Sequence, residues 1–177
     1  MGYTTEFTGR FWLNRTLDEV TFSFLNKFYD TRRIARKLDP EYGIEGEFYV
    51  GGKEEPGDVT IIDYERPPRT QPSLWCQWMP TEDHKGIEWD GNEKFYEYRK
   101  WLKYLIDNIL LPRGYTLSGV VEYQGEDPDD HGWIDARDPL GYVLEPPVQT
   151  GPPPEKVAPL LLVSPGRRIL FTLKGGE

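Results

Sequence analysis

The strongest constraint on the fold lies in residues 74–111. A Trp-rich segment, Leu74-Trp75-Cys76-Gln77-Trp78-Met79-Pro80, is followed by a short polar connection, by Ile87-Glu88-Trp89-Asp90-Gly91, and by one long amphipathic run. Two short aromatic segments with a polar connection predict a β-hairpin. Phe95, Tyr98, Leu102, Leu105 and Ile109 then recur every three or four residues, which places them on one face of a helix. Asp90 or Asn92 is the expected helix cap, and Pro112 with Gly114 the stop.

Upstream, Phe7, Phe11 and Leu13 alternate with Glu6, Thr8, Arg10 and Trp12, the pattern of a half-buried strand. Thr16 and Glu19 form a capping-box pair, and Leu17, Val20, Thr21, Phe24, Leu25 and Phe28 continue at helical spacing to about Thr31. Downstream, Leu117, Gly119, Val121 and Tyr123 alternate with polar neighbours, as do Ile134 and Ala136 after an acidic turn. The expected fold class is α+β: a β-α-β-β-α-β order, an antiparallel sheet with two helices on one face in a split-βαβ arrangement, plus an extra edge strand. Residues 1–138 are expected to form a single domain. Within it, residues 38–73 are a long Gly/Pro-rich loop in which Glu47-Phe48-Tyr49-Val50 and Val59-Thr60-Ile61-Ile62 would pair as a small hairpin. Such a loop is often functional.

Half of the chain's 16 prolines lie between Pro139 and Pro165, so residues 139–177 read as a Pro-rich extension. Its apolar segments, residues 157–163 and 169–173, are too hydrophobic for a disordered tail. They are expected to dock on their own domain or to mediate oligomerisation as an added strand on a partner chain.

Charge and cysteine content narrow the function classes. The net charge of −9 argues against direct binding to nucleic acid or an anionic membrane. Residues 1–37 carry +3 and the remainder −12, so the acidic body is expected to have one basic corner of Lys27, Arg32, Arg33, Arg36 and Lys37. No apolar run is long enough to span a bilayer and the N-terminus lacks a secretory pattern, which points to a cytoplasmic protein. The single cysteine, Cys76, sits in an apolar strand and reads as a buried inert thiol.

Residues with the elements of chemistry are few. Glu126-Asp127-Pro128-Asp129-Asp130-His131 offers oxygen ligands suited to Ca²⁺ but lacks the spacing of a helix-flanked calcium loop. His84 and His131 fall in turns with no partner for general-base work. Glu88 and Asp90 would lie about 7 Å apart on one strand face, a glycosidase-like distance, yet Asp90 is better used as a cap. Phosphate-cradling, nucleophile-elbow and zinc-spaced motifs are missing from the sequence, and no cofactor or metal is expected.

The segments Trp75-Cys76-Gln77-Trp78, Glu88-Trp89-Asp90-Gly91, Glu93-Lys94-Phe95-Tyr96, Gly114-Tyr115-Thr116-Leu117 and Tyr123-Gln124-Gly125-Glu126 resemble a family of small uncharacterised proteins of bacteria and bacteriophages. The resemblance covers about residues 1–137, leaves out the extension, and implies an origin without an activity.

If Phe7, Phe11, Cys76, Trp78, Ile87, Trp89, Leu117, Val121, Ile134 and Ala136 face the helices, the opposite face presents Arg10, Trp12, Trp75, Gln77, Glu88 and Trp133 among Glu122, Gln124 and Asp135. Those first six are the predicted partner-binding residues, with the three Trp as a stacking platform. The carboxylates would repel a phosphate backbone and favour a protein, a peptide or a small aromatic ligand. The competing expectation is that the tail or residues 38–73 fold over this face. The leading expectation is a non-enzymatic protein-binding protein, in one form a phage-encoded inhibitor of a host defence protein, acting on a partner with a basic surface. A small-molecule or nucleotide sequestering protein is the alternative, with phosphate held by Arg10 or the Arg32-Arg33 corner. A metal- or carboxylate-dependent hydrolase is the second.

Overall fold

The alternating segment at the N-terminus folds as two collinear strands, β1 (Thr5–Thr8) and β2 (Phe11–Leu13), interrupted at Gly9, whose φ of 104° a side chain would disfavour. The computed structural model describes residues 2–52 and 57–137, with the backbone of Tyr142–Val143. In chain order the remaining elements are α1 (Glu19–Tyr29), β3 (Ala35–Arg36), β4 (Ile61–Asp63), β5 (Trp78–Pro80), β6 (Gly86–Trp89), α2 (Tyr98–Leu105), β7 (Leu117–Gly125), β8 (His131–Arg137) and β9 (Tyr142–Val143). The fold is α+β, and its antiparallel sheet runs β5-β6-β2-β7-β8-β9, with β1 also on β7. Thr8 opposite Glu122 and Trp12 opposite Ser118 keep one register, so β1 and β2 act as a single strand against β7. This is the split-βαβ order with its extra edge strands.

Helix α1 begins two residues later than the Thr16–Glu19 pair suggests. Asp18 is the cap: its carboxylate accepts from the Thr21 amide at 2.7 Å and from the Tyr115 hydroxyl at 2.7 Å. Thr21, Leu25 and Phe28 face the core, whereas Val20 is 81 % exposed and stands off the stripe. The Thr21 amide, and next the Tyr115 hydroxyl, lower the Asp18 pKa from 3.8 to about 2. A carboxylate whose folded pKa is depressed adds stability above its unfolded pKa and loses it as pH falls through the folded one. Thermal melts of Asp18→Asn against the parent are therefore expected to differ most above pH 4 and to converge towards pH 2. An equal gap at both ends would remove this cap from the acid response.

Helix α2 also starts late, because Lys94 (φ 61°) and Glu97 (φ 58°) are left-handed and break the helical path that Phe95 suggested. Asp90 and Asn92 therefore do not cap it. After Leu105 the helix widens into a π turn at Ile106–Leu110, then tightens at Leu111–Arg113 and ends at Gly114, φ 75°. The π turn rotates the buried face, so Ile106, Ile109 and Leu110 all reach the core beside Trp101, Leu102, Tyr104 and Leu105. Between helices and sheet, Phe7 meets Trp78 at 5.2 Å, Tyr98 at 4.8 Å and Phe95 at 5.9 Å, all edge-on. Each such pair adds about 0.5–1.5 kcal/mol beyond burial.

Residues 38–73 do not form the expected hairpin. Residues 47–50 follow two 3₁₀ turns, Pro40–Tyr42 and Ile44–Gly46, and β4 instead pairs with β3 just after α1. The reason is a set of buried polar groups that needed partners. Arg33, 2 % exposed, donates through Nε to Gln71 Oε1 at 3.0 Å and through its two Nη atoms to the carbonyls of Tyr49 and Glu47, while its guanidinium lies 4.2 Å over the Phe28 ring. The Glu47 carboxylate accepts from Tyr104 at 3.0 Å and from Thr70, and Gln71 also donates to the Glu47 carbonyl. Arg36 meets Asp58 at 2.5 Å. Arg33 and Arg36 are therefore interior, and the expected basic corner loses two of its five cations to the fold.

Candidate functional site

The buried network positions one wall of a cavity of about 650 Å³. Gln71 is fixed by Arg33, so Pro72, Ser73 and Leu74 follow it along the rim. Ser73 joins three parts: its Oγ accepts from the Trp101 indole at 2.7 Å and is oriented towards the carbonyls of Trp75 and Tyr96, each 3.3 Å away. The end of α1 contributes Tyr29 and Asp30, and the connection after β6 contributes Asp90, Asn92, Glu93, Lys94 and Tyr96. That connection is held by Gln77, which donates to the Glu93 carbonyl at 3.0 Å and accepts from the Trp89 indole at 3.2 Å.

The lining combines aromatic surface with carboxylates. Trp75 is 45 % and Tyr96 52 % exposed, unusual for residues flanked by so much core. Asp90 is engaged by the Asn92 amide at 2.9 Å and its side chain at 2.8 Å. Asp30 and Glu93 have no ion-pair partner among the described residues. With Lys94 as the one cation on the wall among the described residues, the rim carries excess negative charge beside open aromatic faces.

The six predicted binding residues separate into two groups. Trp75 and Gln77 precede β5 and belong to this cavity, with Gln77 buried as a strut. Arg10, Trp12, Glu88 and Trp133 remain on strands or between them. Arg10 pairs with Asp83 at 3.0 Å and lies 4.5 Å over Trp12. Glu88 stands opposite Met79, and Trp133 opposite Glu122. A single three-Trp platform is therefore not what the geometry builds. No family model, curated protein or solved structure matches this chain.

The other chemistry-bearing residues have structural employment. In the acidic turn, Glu126 accepts from the Thr4 amide at 2.8 Å and Asp130 from the Tyr3 hydroxyl at 2.7 Å, which fastens the N-terminus to β7. No cluster of three or more His, Cys, Asp or Glu among the described residues is arranged to hold a metal. His84 stacks on Phe22 at 3.7 Å, and His131 sits 3.0 Å from the Pro128 carbonyl. Burial pushes the Cys76 thiol up to about 12, so it is protonated at neutral pH. Among the described residues no helix is long and apolar enough to cross a membrane.

Sequence patterning alone missed Tyr29, Asp30, Glu93 and Tyr96. Tyr96 carried a usable sign: it is a large aromatic beside the Phe95 stripe but off it, so burial by the helix could not explain its presence.

Proposed function

We propose that this chain is a non-enzymatic binding protein that takes a basic, extended segment of a protein partner against the cavity beside Trp75. The observation that supports the reading is the pairing of exposed Trp75 and Tyr96 with the unpaired carboxylates of Asp30 and Glu93 around one cavity. An Arg or Lys side chain satisfies both: its stem covers the rings, and its charge meets the carboxylates. A cation over an aromatic face is worth about 0.5–1 kcal/mol when exposed and about 2 or more when desolvated. Occlusion of a host protein's nucleic-acid-binding surface is one form this binding would take; that step rests on the resemblance and on the acidic charge.

The nucleotide-sequestering alternative has less support. Arg33 is spent inside the fold, Arg10 is paired with Asp83, and the carboxylates of the cavity rim would oppose a phosphate. The hydrolase alternative has less support, because Asp90 already accepts from the Asn92 amide and side chain, and Glu126 and Asp130 of the acidic turn accept from Thr4 and Tyr3.

Titrating the full chain with an Arg/Pro-rich decapeptide, followed by Trp fluorescence, tests the reading. Trp75→Ala is expected to weaken binding about tenfold or more. Asp30→Asn with Glu93→Gln is expected to flatten the dependence on salt, since it removes the charges that salt screens. Binding that is equally tight in both variants, or equal affinity for a Glu/Pro-rich peptide, would sink the proposal.

A further inference from the structure

The outer face of the sheet, away from the helices, is the second unusual surface. Register places Trp12 beside Ser118, Val120 beside Asp135, and Thr8, Glu122 and Trp133 in one row across three strands. Trp12 is 37 % exposed, and Val120 and Trp133 are half-buried. The Trp133 indole nitrogen is buried and meets no acceptor among the described residues. Leaving a buried donor without a partner is unfavourable, which favours an occupant that brings a carbonyl to it. Glu6, Glu88 and Glu122 stand on the same face with no ion-pair partner among the described residues.

The chain carries a segment of matching chemistry. Residues 157–163 and 169–173 are apolar, and Arg167-Arg168 lies between them. Strand β9 runs antiparallel to β8 with Val143 opposite Ala136, so the described backbone ends at the β8 edge of the sheet. Fourteen further residues lead to Val157, a reach of up to about 43 Å at ~3.1 Å per residue. The face from β8 to β5 is four strand steps wide, or about 19 Å at ~4.8 Å each. The segment is long enough to lie across the whole face.

We infer that residues 157–173 cover the outer face of the sheet in the same chain, their apolar side chains over Trp12, Val120 and Trp133 and Arg167-Arg168 against Glu88 and Glu122. The occupant is argued from three matches: where the described backbone leaves the sheet, how far the tail reaches, and its cationic, apolar composition against a Trp-bearing face on which Arg10 and Arg137 pair with Asp83 and Asp135 while Glu6, Glu88 and Glu122 have no ion-pair partner among the described residues. This inference does not depend on the cavity's ligand. It assigns Trp12 and Trp133 to an intramolecular contact and leaves Trp75 to the partner.

The test uses the full chain and its six indole N–H resonances, with those of Trp12 and Trp133 assigned through Trp12→Phe and Trp133→Phe. Two variants, Leu161→Asp/Leu170→Asp and Arg167→Glu/Arg168→Glu, are compared with the parent. The expected result is that the Trp12 and Trp133 signals shift and hydrogen exchange at the Trp133 indole rises about tenfold or more. The Trp78 and Trp101 signals stay in place, and light scattering reports a monomer at all concentrations. Unmoved Trp12 and Trp133 signals overturn the inference. So does a parent signal that changes on dilution together with a dimer mass, which would make a second copy the occupant. A shift of all six signals also overturns it, because the tail would then be part of the core.

Discussion

Arg33→Ala is expected to cost about 3–5 kcal/mol of folding stability, the range seen when one member of a buried charged network is removed. Arg33 is 2 % exposed, and burial lowers its pKa to about 10, so the guanidinium stays charged at neutral pH and must be satisfied inside the fold. Its fork does this by gathering Gln71 with the carbonyls of Tyr49 and Glu47, two segments otherwise distant in sequence. Without it the Tyr49 carbonyl and Gln71 Oε1 lose their donor, the Glu47 carbonyl keeps only Gln71, and Phe28 loses the group stacked on it. Lysine keeps the charge but lacks the planar fork, so Arg33→Lys should recover only part of the loss. Urea denaturation gives the magnitude. Hydrogen exchange gives the place: the Ala35 and Lys37 amides, bonded to Arg66 and Thr60 across residues 38–73, should lose protection before the β7–β8 ladder does. A loss under about 1 kcal/mol would mean that water replaces the guanidinium without penalty, and the network would then not be what holds the loop.

The same network explains where sequence patterning succeeded and where it stopped. Phe7, Phe11 and Leu13 alternate with polar neighbours because one sheet face is buried, and period-two burial is a local property. The hairpin of Trp78 and Trp89 and the long strands around Val121 and Ile134 were legible for that reason. Helix α2 was legible in kind but not in extent: nothing in Lys94 or Glu97 announces a left-handed residue, and the π turn after Leu105 admits a second set of apolar positions to the core. Trp101, fully buried, lies off the predicted stripe. The loop was misread because its organising contacts join Arg33, Glu47, Gln71 and Tyr104, a pairing of polar groups that leaves no periodic trace. Charge counting assigned those arginines to the surface for the same reason. In the candidate site, Trp75 and Gln77 were found but placed on the sheet, because the first hairpin segment was expected to begin at Leu74, four residues before strand β5 does.

Trp101 couples that core to the cavity, and two substitutions there should separate stability from binding. Trp101→Ala removes a fully buried indole between Phe28, 6.0 Å away, and Tyr104, 5.5 Å away, and is expected to cost about 3–5 kcal/mol. Trp101→Phe refills most of the volume and deletes only the N–H bonded to Ser73, a loss of about 1 kcal/mol. Its effect on the cavity should be larger than its effect on the fold. Ser73 Oγ spends its acceptor side on the indole, which leaves its hydrogen for the carbonyls of Trp75 and Tyr96 on opposite sides of the rim. Released from the indole, the hydroxyl is free to rotate away and the two aromatic walls lose their common tether. Affinity for the Arg/Pro-rich peptide should then fall several-fold more than the stability change predicts, while the urea transition stays cooperative. If Trp101→Phe binds as the parent does, the rim is held by Gln77 and Arg33 alone, and the indole of Trp101 serves only the core.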